Sequence, residues 1–390
     1  MIDFLEKILN KAIDYFGLPV NKPFKGLLLK LGLEEEKFKK FESPSLLNHN
    51  KVFQDKPKTI LRNIDILNRF PDISKKPITE LTIILTHKCN LACAYCLRNA
   101  NFNWQLEIPY RKLERIILSS HRLGCRQAGI TGGEPFLYSS WPDLIELLGT
   151  LKWRVLWETN GLLINEKILQ FIQKNLEGRF TFLVSLDSHK KEIHDKLRGK
   201  GSFEKAVSAI KLIKSFNFPL RANAIVTPLT MMTEKDLIDY VNFNKELGVN
   251  SLSINRVVAL GRGHNQELFS LSEAQVEEIQ AIIKKHNFFD GYLKGGAFHF
   301  IEEDQGCKRI GKELCFSPFG IHPCIFQENV KIAELDDFEN LIWGNFLGSL
   351  DALRLASMSG YRGRFFSCAD CLKTMPQYLK NIKNLELIDI

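Results

Sequence analysis

No apolar run in the 390 residues approaches the roughly 18–20 that a membrane-spanning helix needs. Nor is there a long block of one charge sign, or a basic stretch interleaved with aromatics. The 53 Lys and Arg against 45 Asp and Glu are dispersed. A net charge of +8 therefore favours an anionic substrate, a peptide or a surface over a nucleic acid. Internal repeats and low-complexity tracts are absent as well. The N-terminal MIDFLEKILNKAIDYF carries Asp3 and Glu6 where a secretory signal would hold only positive charge. Without such a signal the expected setting is the reducing cytoplasm, where nine cysteines bind metal rather than pair. Their odd number also suits pairing poorly. What the chain does have is core material: 45% apolar and 11% aromatic residues, enough for two or three folded units.

Residues 1–78 stand apart. Ile2, Leu5, Ile8, Leu9, Ala12, Ile13 and Phe16 recur at helical spacing, predicting an amphipathic helix that ends near Gly17-Leu18-Pro19. Packing on the body of the protein is its expected role, with a membrane surface or a partner as the alternative. From Glu80 the rhythm changes. Strand-like runs at 81–86, 127–131, 154–159, 180–186, 220–227 and 251–257 are followed by helical patterns near 110–123, 142–150, 165–175, 203–215, 233–247 and 272–286. Six strand–helix pairs imply right-handed crossovers and a parallel sheet. The expected fold is α/β: a partial (β/α)6 TIM-like barrel over 79–290, with the N-terminal helical extension and a small C-terminal hairpin-and-helix domain over 291–390. The cysteine loop, TGGEP, Glu158–Gly161 and Ser185-Leu186-Asp187 all fall at C-terminal strand ends, where parallel barrels carry their chemistry.

The loop CNLACAYC places Cys89, Cys93 and Cys96 within eight residues. Thiolates suit zinc, copper(I) or iron–sulfur clusters. A zinc site would take His87 as a fourth ligand, although Cys-x3-Cys-x2-Cys is unusual for zinc. A [4Fe–4S] cube held by three cysteines instead leaves one iron open for catalysis. The loop, with Tyr95 before its third cysteine, resembles the signature of the radical S-adenosylmethionine (radical SAM) superfamily. That resemblance implies S-adenosylmethionine on the open iron, a 5′-deoxyadenosyl radical on reduction, and a reductant such as flavodoxin or ferredoxin. Gly132-Gly133-Glu134-Pro135 is similar to the family's GGE element, where the Glu134 carboxylate or nearby carbonyls would receive the methionyl ammonium. Asn160 and Ser185 resemble strand-end residues that contact ribose and methionyl groups, and Arg198 a motif arginine suited to the methionyl carboxylate. Asn223 and Asn255 are further rim positions.

A second group, Cys307, Cys324, Cys368 and Cys371, lies in the last quarter, and Cys368-x2-Cys371 is a ligand pair by spacing. A zinc ribbon fits that spacing. CKRIGKELCFSPFGIHPC also reads as a hairpin that brings its end cysteines together. After a radical SAM barrel this resembles the auxiliary-cluster extensions called SPASM and twitch, which implies a second [4Fe–4S] cluster acting as an electron relay. Cys315 and Cys125 read as buried packing residues. The expected function is a peptide or natural-product maturase performing oxidation, cross-linking or epimerisation. The alternative is a twitch-type dehydrogenase of a sugar or cyclitol alcohol. GRGHNQELFSLS (261–272) resembles a segment of peptide- and cofactor-maturing relatives. Ile325 follows Cys324 where anaerobic sulfatase-maturing enzymes carry Asp, which argues against formylglycine formation by that route. A non-catalytic iron–sulfur or zinc protein would have no use for the rim motifs.

Overall fold

The structure, a computed structural model, describes residues 80–122, 124–258, 260–263, 269–286, 292, 313–322, 325, 328, 330–331, 334–338 and 386–387. All of these fall in one unit, Phe70–Ile390. The expectations for residues 1–78 and for Cys307, Cys324, Cys368 and Cys371 lie outside the described residues.

Six strands alternate with helices in chain order: β1 (Glu80–Ile84), α1 (Tyr110–Arg122), β2 (Gln127–Thr131), α2 (Trp141–Thr150), β3 (Arg154–Thr159), α3 (Glu166–Leu176) and β4 (Phe180–Ser185). Two helices follow, α4 (Lys191–Arg198) and α5 (Ser202–Ser215), then β5 (Leu220–Val226), α6 (Glu234–Glu246), β6 (Ser251–Arg256) and α7 (Glu273–Lys285). A hairpin, β7 (Glu313–Ser317) and β8 (Gly320–His322), completes an eight-stranded sheet of order β6-β5-β4-β3-β2-β1-β7-β8. Every pairing is parallel except β7 with β8. This is the open, partial barrel that the strand–helix alternation predicts.

The strands arise where β-branched and aromatic residues cluster, and their period of two divides the sheet's faces. On β5, Leu220, Ala222, Ala224 and Val226 are buried, while Arg221, Asn223 and Ile225 line the inner cavity. β3 does the same, with Val155 and Trp157 buried on the helix side and Leu156 and Glu158 on the inner face. A doubly covered parallel sheet is ordinarily apolar on both faces; here one face is polar because it encloses a site. The apolar face packs against the helices through a run of aromatics. Trp157 and Phe180 have ring centroids 5.8 Å apart, and Phe180 and Phe182 4.7 Å. Each such buried ring contributes about 1.5–3 kcal/mol of burial free energy. Side-chain caps set the helix starts: Asn165 for α3, Thr233 for α6, and a Ser272–Gln275 capping box for α7.

Two features depart from expectation. α4 spans only eight residues, too short for its periodicity to register, and ends at Gly199. The C-terminal hairpin does form, yet it joins the barrel sheet: β7 pairs in parallel with β1 from Glu80↔Glu313 to Ile83↔Phe316. The buried Leu314 and Phe316 cover the edge that β1 would otherwise leave unpaired. No helix among the described residues is long and apolar enough to cross a membrane.

Candidate active site

A cavity of about 440 Å³ lies inside the curve of the sheet, within the range of small-molecule sites. Cys89, Cys93 and Cys96 all contribute to its lining. So do the rim residues named from the sequence: Tyr95, Gly132, Gly133, Asn160, Ser185, Arg198, Asn223 and Asn255. Ile325 also faces this space. Glu134 and Pro135 are buried and are not among the lining residues. Cys125 sits in the hydrophobic core and Cys315 is fully buried on β7.

The two glycines explain how the cysteine loop is held. Gly133 N donates to Thr86 O at 2.6 Å and Glu134 N to Lys88 O at 2.8 Å. A Cβ built on Gly133 would stand 2.2 Å from Lys88 O, and one on Gly132 2.6 Å from Thr86 O. Their absent side chains thus admit the backbone leading into the cysteine loop, and a ligand shares only the remaining face. Glu134 turns inward as well. Its carboxylate accepts from Thr159 Oγ1 at 2.9 Å, Phe136 N at 3.2 Å and Asn160 N at 2.8 Å. Burial pushes its pKa up to about 7 against the pull of those bonds. Three of the roughly four acceptor positions of that carboxylate are thus taken by the chain itself. Asn160, oriented by that contact, reaches Asn90 Oδ1 at 2.7 Å and fixes the loop from the opposite side.

Arg262 closes the clamp. Its guanidinium donates to Cys93 O at 2.7 Å, Ala100 O at 2.8 Å and Asn99 Oδ1 at 2.9 Å, and its backbone N–H donates to Cys96 O at 2.9 Å. Gly261 permits the approach, since a Cβ there would lie 2.5 Å from Cys96 O. Arg262→Ala is expected to lower stability by about 2 kcal/mol through these charge-assisted bonds. It should also speed iron loss from reconstituted protein, read by denaturant melts and by the decay of the visible absorbance. Wild-type values for both would remove Arg262 from this role.

Beneath the loop, Asp187 is fully buried and gathers four donors. Tyr95 Oη donates to it, Arg198 binds it through Nε at 2.7 Å and Nη2 at 2.9 Å, and Ile225 N donates at 3.0 Å. Burial pushes the Asp187 carboxyl up, but the Arg198 guanidinium outweighs it and holds the pKa below the usual value. Two nitrogens of Arg198 are committed to Asp187, and the residue also borders the cavity. Ala94 N bonds to Leu197 O at 2.9 Å, docking α4 on the same loop.

Burial raises the Cys89 thiol to about 12 and the Cys93 thiol to about 11, so ligation there would release protons. Among the described residues, no three His, Cys, Asp or Glu side chains are placed to hold a single metal ion. His87 does not join the cysteines. It is fully buried, with Nε2 2.8 Å from Glu328 Oε1, so that nitrogen is not free to serve as a fourth ligand. Three soft donors bordering one cavity, with no fourth ligand among the described residues, fit a cluster with an open corner. Arg262 and Glu328 were not identified from the sequence as parts of this site, and Asp187 was named only within a strand-end tripeptide.

Comparison with known proteins agrees with this geometry. The family model described as the radical SAM superfamily matches residues 83–254. The antilisterial bacteriocin subtilosin biosynthesis protein AlbA of Bacillus subtilis is 29% identical over 282 residues, 67% of this chain and 58% of AlbA, less than two thirds of that relative. A probable GTP 3′,8-cyclase of Archaeoglobus fulgidus is 30% identical over 207 residues, 52% of this chain and 68% of the cyclase. SuiB of Streptococcus suis bound to S-adenosylmethionine superposes with a TM-score of 0.57 at 17% identity, covering 82% of this chain and 84% of SuiB. SuiB bound to its precursor peptide SuiA gives 0.55 at 18% identity over 89% and 88%.

Proposed function

The chain belongs to the radical SAM superfamily, and on that premise we propose that it is a peptide maturase with a second, auxiliary cluster. The observation that carries the proposal is the three-thiol cavity in a fold shared with SuiB, joined to sequence similarity with AlbA. In this reading Cys89, Cys93 and Cys96 hold a [4Fe–4S] cluster. Tyr95, Gly132, Gly133, Asn160, Ser185 and Arg198 border the S-adenosylmethionine site. When bound and given one electron by a donor such as flavodoxin or ferredoxin, the two cofactors would supply a 5′-deoxyadenosyl radical able to take a hydrogen atom from the substrate. The protein's part is to position the peptide and exclude water. Cys307, Cys324, Cys368 and Cys371 hold the auxiliary cluster, an electron relay. That Ile325, the neighbour of Cys324, borders the cavity supports a relay close to the substrate.

Anaerobically reconstituted protein should contain about eight irons, two four-iron clusters. With dithionite and S-adenosylmethionine it should form 5′-deoxyadenosine. A precursor peptide from the same gene neighbourhood should lose hydrogen, or take up deuterium in D2O if the reaction is epimerisation. Cys371→Ala should retain about four irons and lose peptide turnover. A wild-type count of about four would reject the second cluster, and an unchanged count in the variant would remove Cys371 from its ligands. Oxidation of a cyclitol or sugar alcohol with no change in any peptide would replace the maturase reading with the dehydrogenase one.

A further inference from the structure

Five arginines border the cavity: Arg98, Arg198, Arg221, Arg256 and Arg262. Four are engaged by their own chain, Arg256 among them. Arg198 is paired with Asp187, Arg262 is held by the cysteine loop, and Arg98 Nε lies 3.3 Å from Glu328 Oε2. Arg221 is different. It projects inward from near the N-terminal end of β5, the second strand from the sheet's edge, in register with Leu183 on β4 and Ser251 on β6. Its Nε donates to Ser251 Oγ at 3.3 Å, a long bond to a neutral partner. It forms no ion pair with any described carboxylate.

The cavity's acidic groups stand elsewhere. Glu158 lies two strands away in the same row, roughly 10 Å at ~4.8 Å per strand. It accepts from Thr131 Oγ1 at 2.6 Å. Glu80 is at the start of β1. Burial alone pulls the Arg221 pKa down, with no carboxylate opposing it. A partly buried guanidinium whose only hydrogen-bond partner among the described residues is a hydroxyl is held there at a cost. Its placement is accounted for when the counter-charge arrives with the substrate.

We propose that Arg221 is the docking group for a carboxylate on the substrate. The inference rests on the maturase reading, which makes the ligand an acidic side chain or a free C-terminus of a peptide. Asn223 lies two residues nearer the strand's C-terminal end, in register with Ser185 and Ser253. The Arg221 row is thus about 7 Å deeper than the Asn223 row, at ~3.3 Å per residue. A chain docked there passes a row of amide and hydroxyl groups that can orient a peptide.

The test uses the anaerobic holoprotein with S-adenosylmethionine and four probes measured by calorimetry. They are an N-acetylated, C-amidated glycyl-glutamyl-glycine, its glutaminyl counterpart, the glutaminyl peptide with a free C-terminus, and inorganic diphosphate. At least one carboxylate peptide should bind about thirty-fold more tightly than the amidated glutaminyl peptide, the loss expected when a buried charge pair lacks one member. Which of the two does so identifies the source. Arg221→Gln should abolish the preference, and Arg221→Leu should melt no lower than wild type. A preference that survives in Arg221→Gln, a response to diphosphate alone, equal binding of acid and amide, or a lowered melting temperature in both variants would overturn the assignment. The maturase reading fails separately, on oxidation of a sugar or cyclitol alcohol by the wild-type protein with no change in any peptide.

Discussion

Asp187→Ala is expected to destabilise the protein by about 3–5 kcal/mol, the range seen when one member of a buried ion pair is removed. The side chain is fully buried, and its two oxygens receive Tyr95 Oη, two nitrogens of Arg198 and the backbone N–H of Ile225. Deleting it leaves a buried guanidinium without its counter-charge, together with two orphaned donors. Tyr95 is the residue before Cys96, and α4 carries Arg198, so the damage reaches the thiols directly. Iron retained after reconstitution should fall along with stability, both measured anaerobically. Asp187→Asn keeps the shape but not the charge and should fall between. Because the native carboxyl is held below its ordinary value of 3.8, its contribution is fully present above that pH. It is lost as pH falls further, through the native value, so the gap between wild type and variant should narrow in acid. A variant within about 1 kcal/mol of wild type, with full iron, would mean that Asp187 is not the anchor.

The alternation of strands and helices was legible because each element carries its own periodicity, and the observed strands begin and end within two residues of the expected runs. The cysteine loop and the glycine pair were legible because their residues are adjacent in the chain. What was not legible depends on separation. Glu328 meets His87 across 241 residues and Arg262 meets Cys93 across 169. β7 lies more than 200 residues beyond the strand it pairs with. No local pattern marks a carboxylate as the acceptor of four distant donors, so Asp187 read only as part of a strand-end tripeptide. The glycine pair shows a subtler limit. Its presence signalled a close approach, but the approaching group, the backbone of residues 86–88, could be named only once the fold had brought β1 and β2 side by side.

That identification changes what a substitution at Gly133 should do. If the glycine merely made room for a ligand, Gly133→Ala would weaken S-adenosylmethionine binding and leave the cluster in place. The geometry gives a different outcome. The new methyl would stand 2.2 Å from Lys88 O and 2.6 Å from Lys88 C, backbone atoms with no rotamer to change. Either the end of β2 or the entry to the cysteine loop must move by about 1 Å to restore contact distance. Moving either breaks the bonds from Gly133 N and Glu134 N that join them. The expected result is a loss of about 3 kcal/mol or more, the upper end of overpacking costs. Cluster incorporation at Cys89, Cys93 and Cys96 should fail with it. Gly129→Ala, on the same strand, is the matched control, because its added methyl meets nothing nearer than Thr82 Oγ1 at 3.7 Å. It should fold and bind iron as wild type does. Iron content and melting temperature, measured on both variants before any S-adenosylmethionine is added, separate the two outcomes. Normal iron and a weakened cofactor in Gly133→Ala would return the glycine to the ligand. Lost iron beside an intact Gly129→Ala would establish that the motif's first task is to seat the loop that holds the metal.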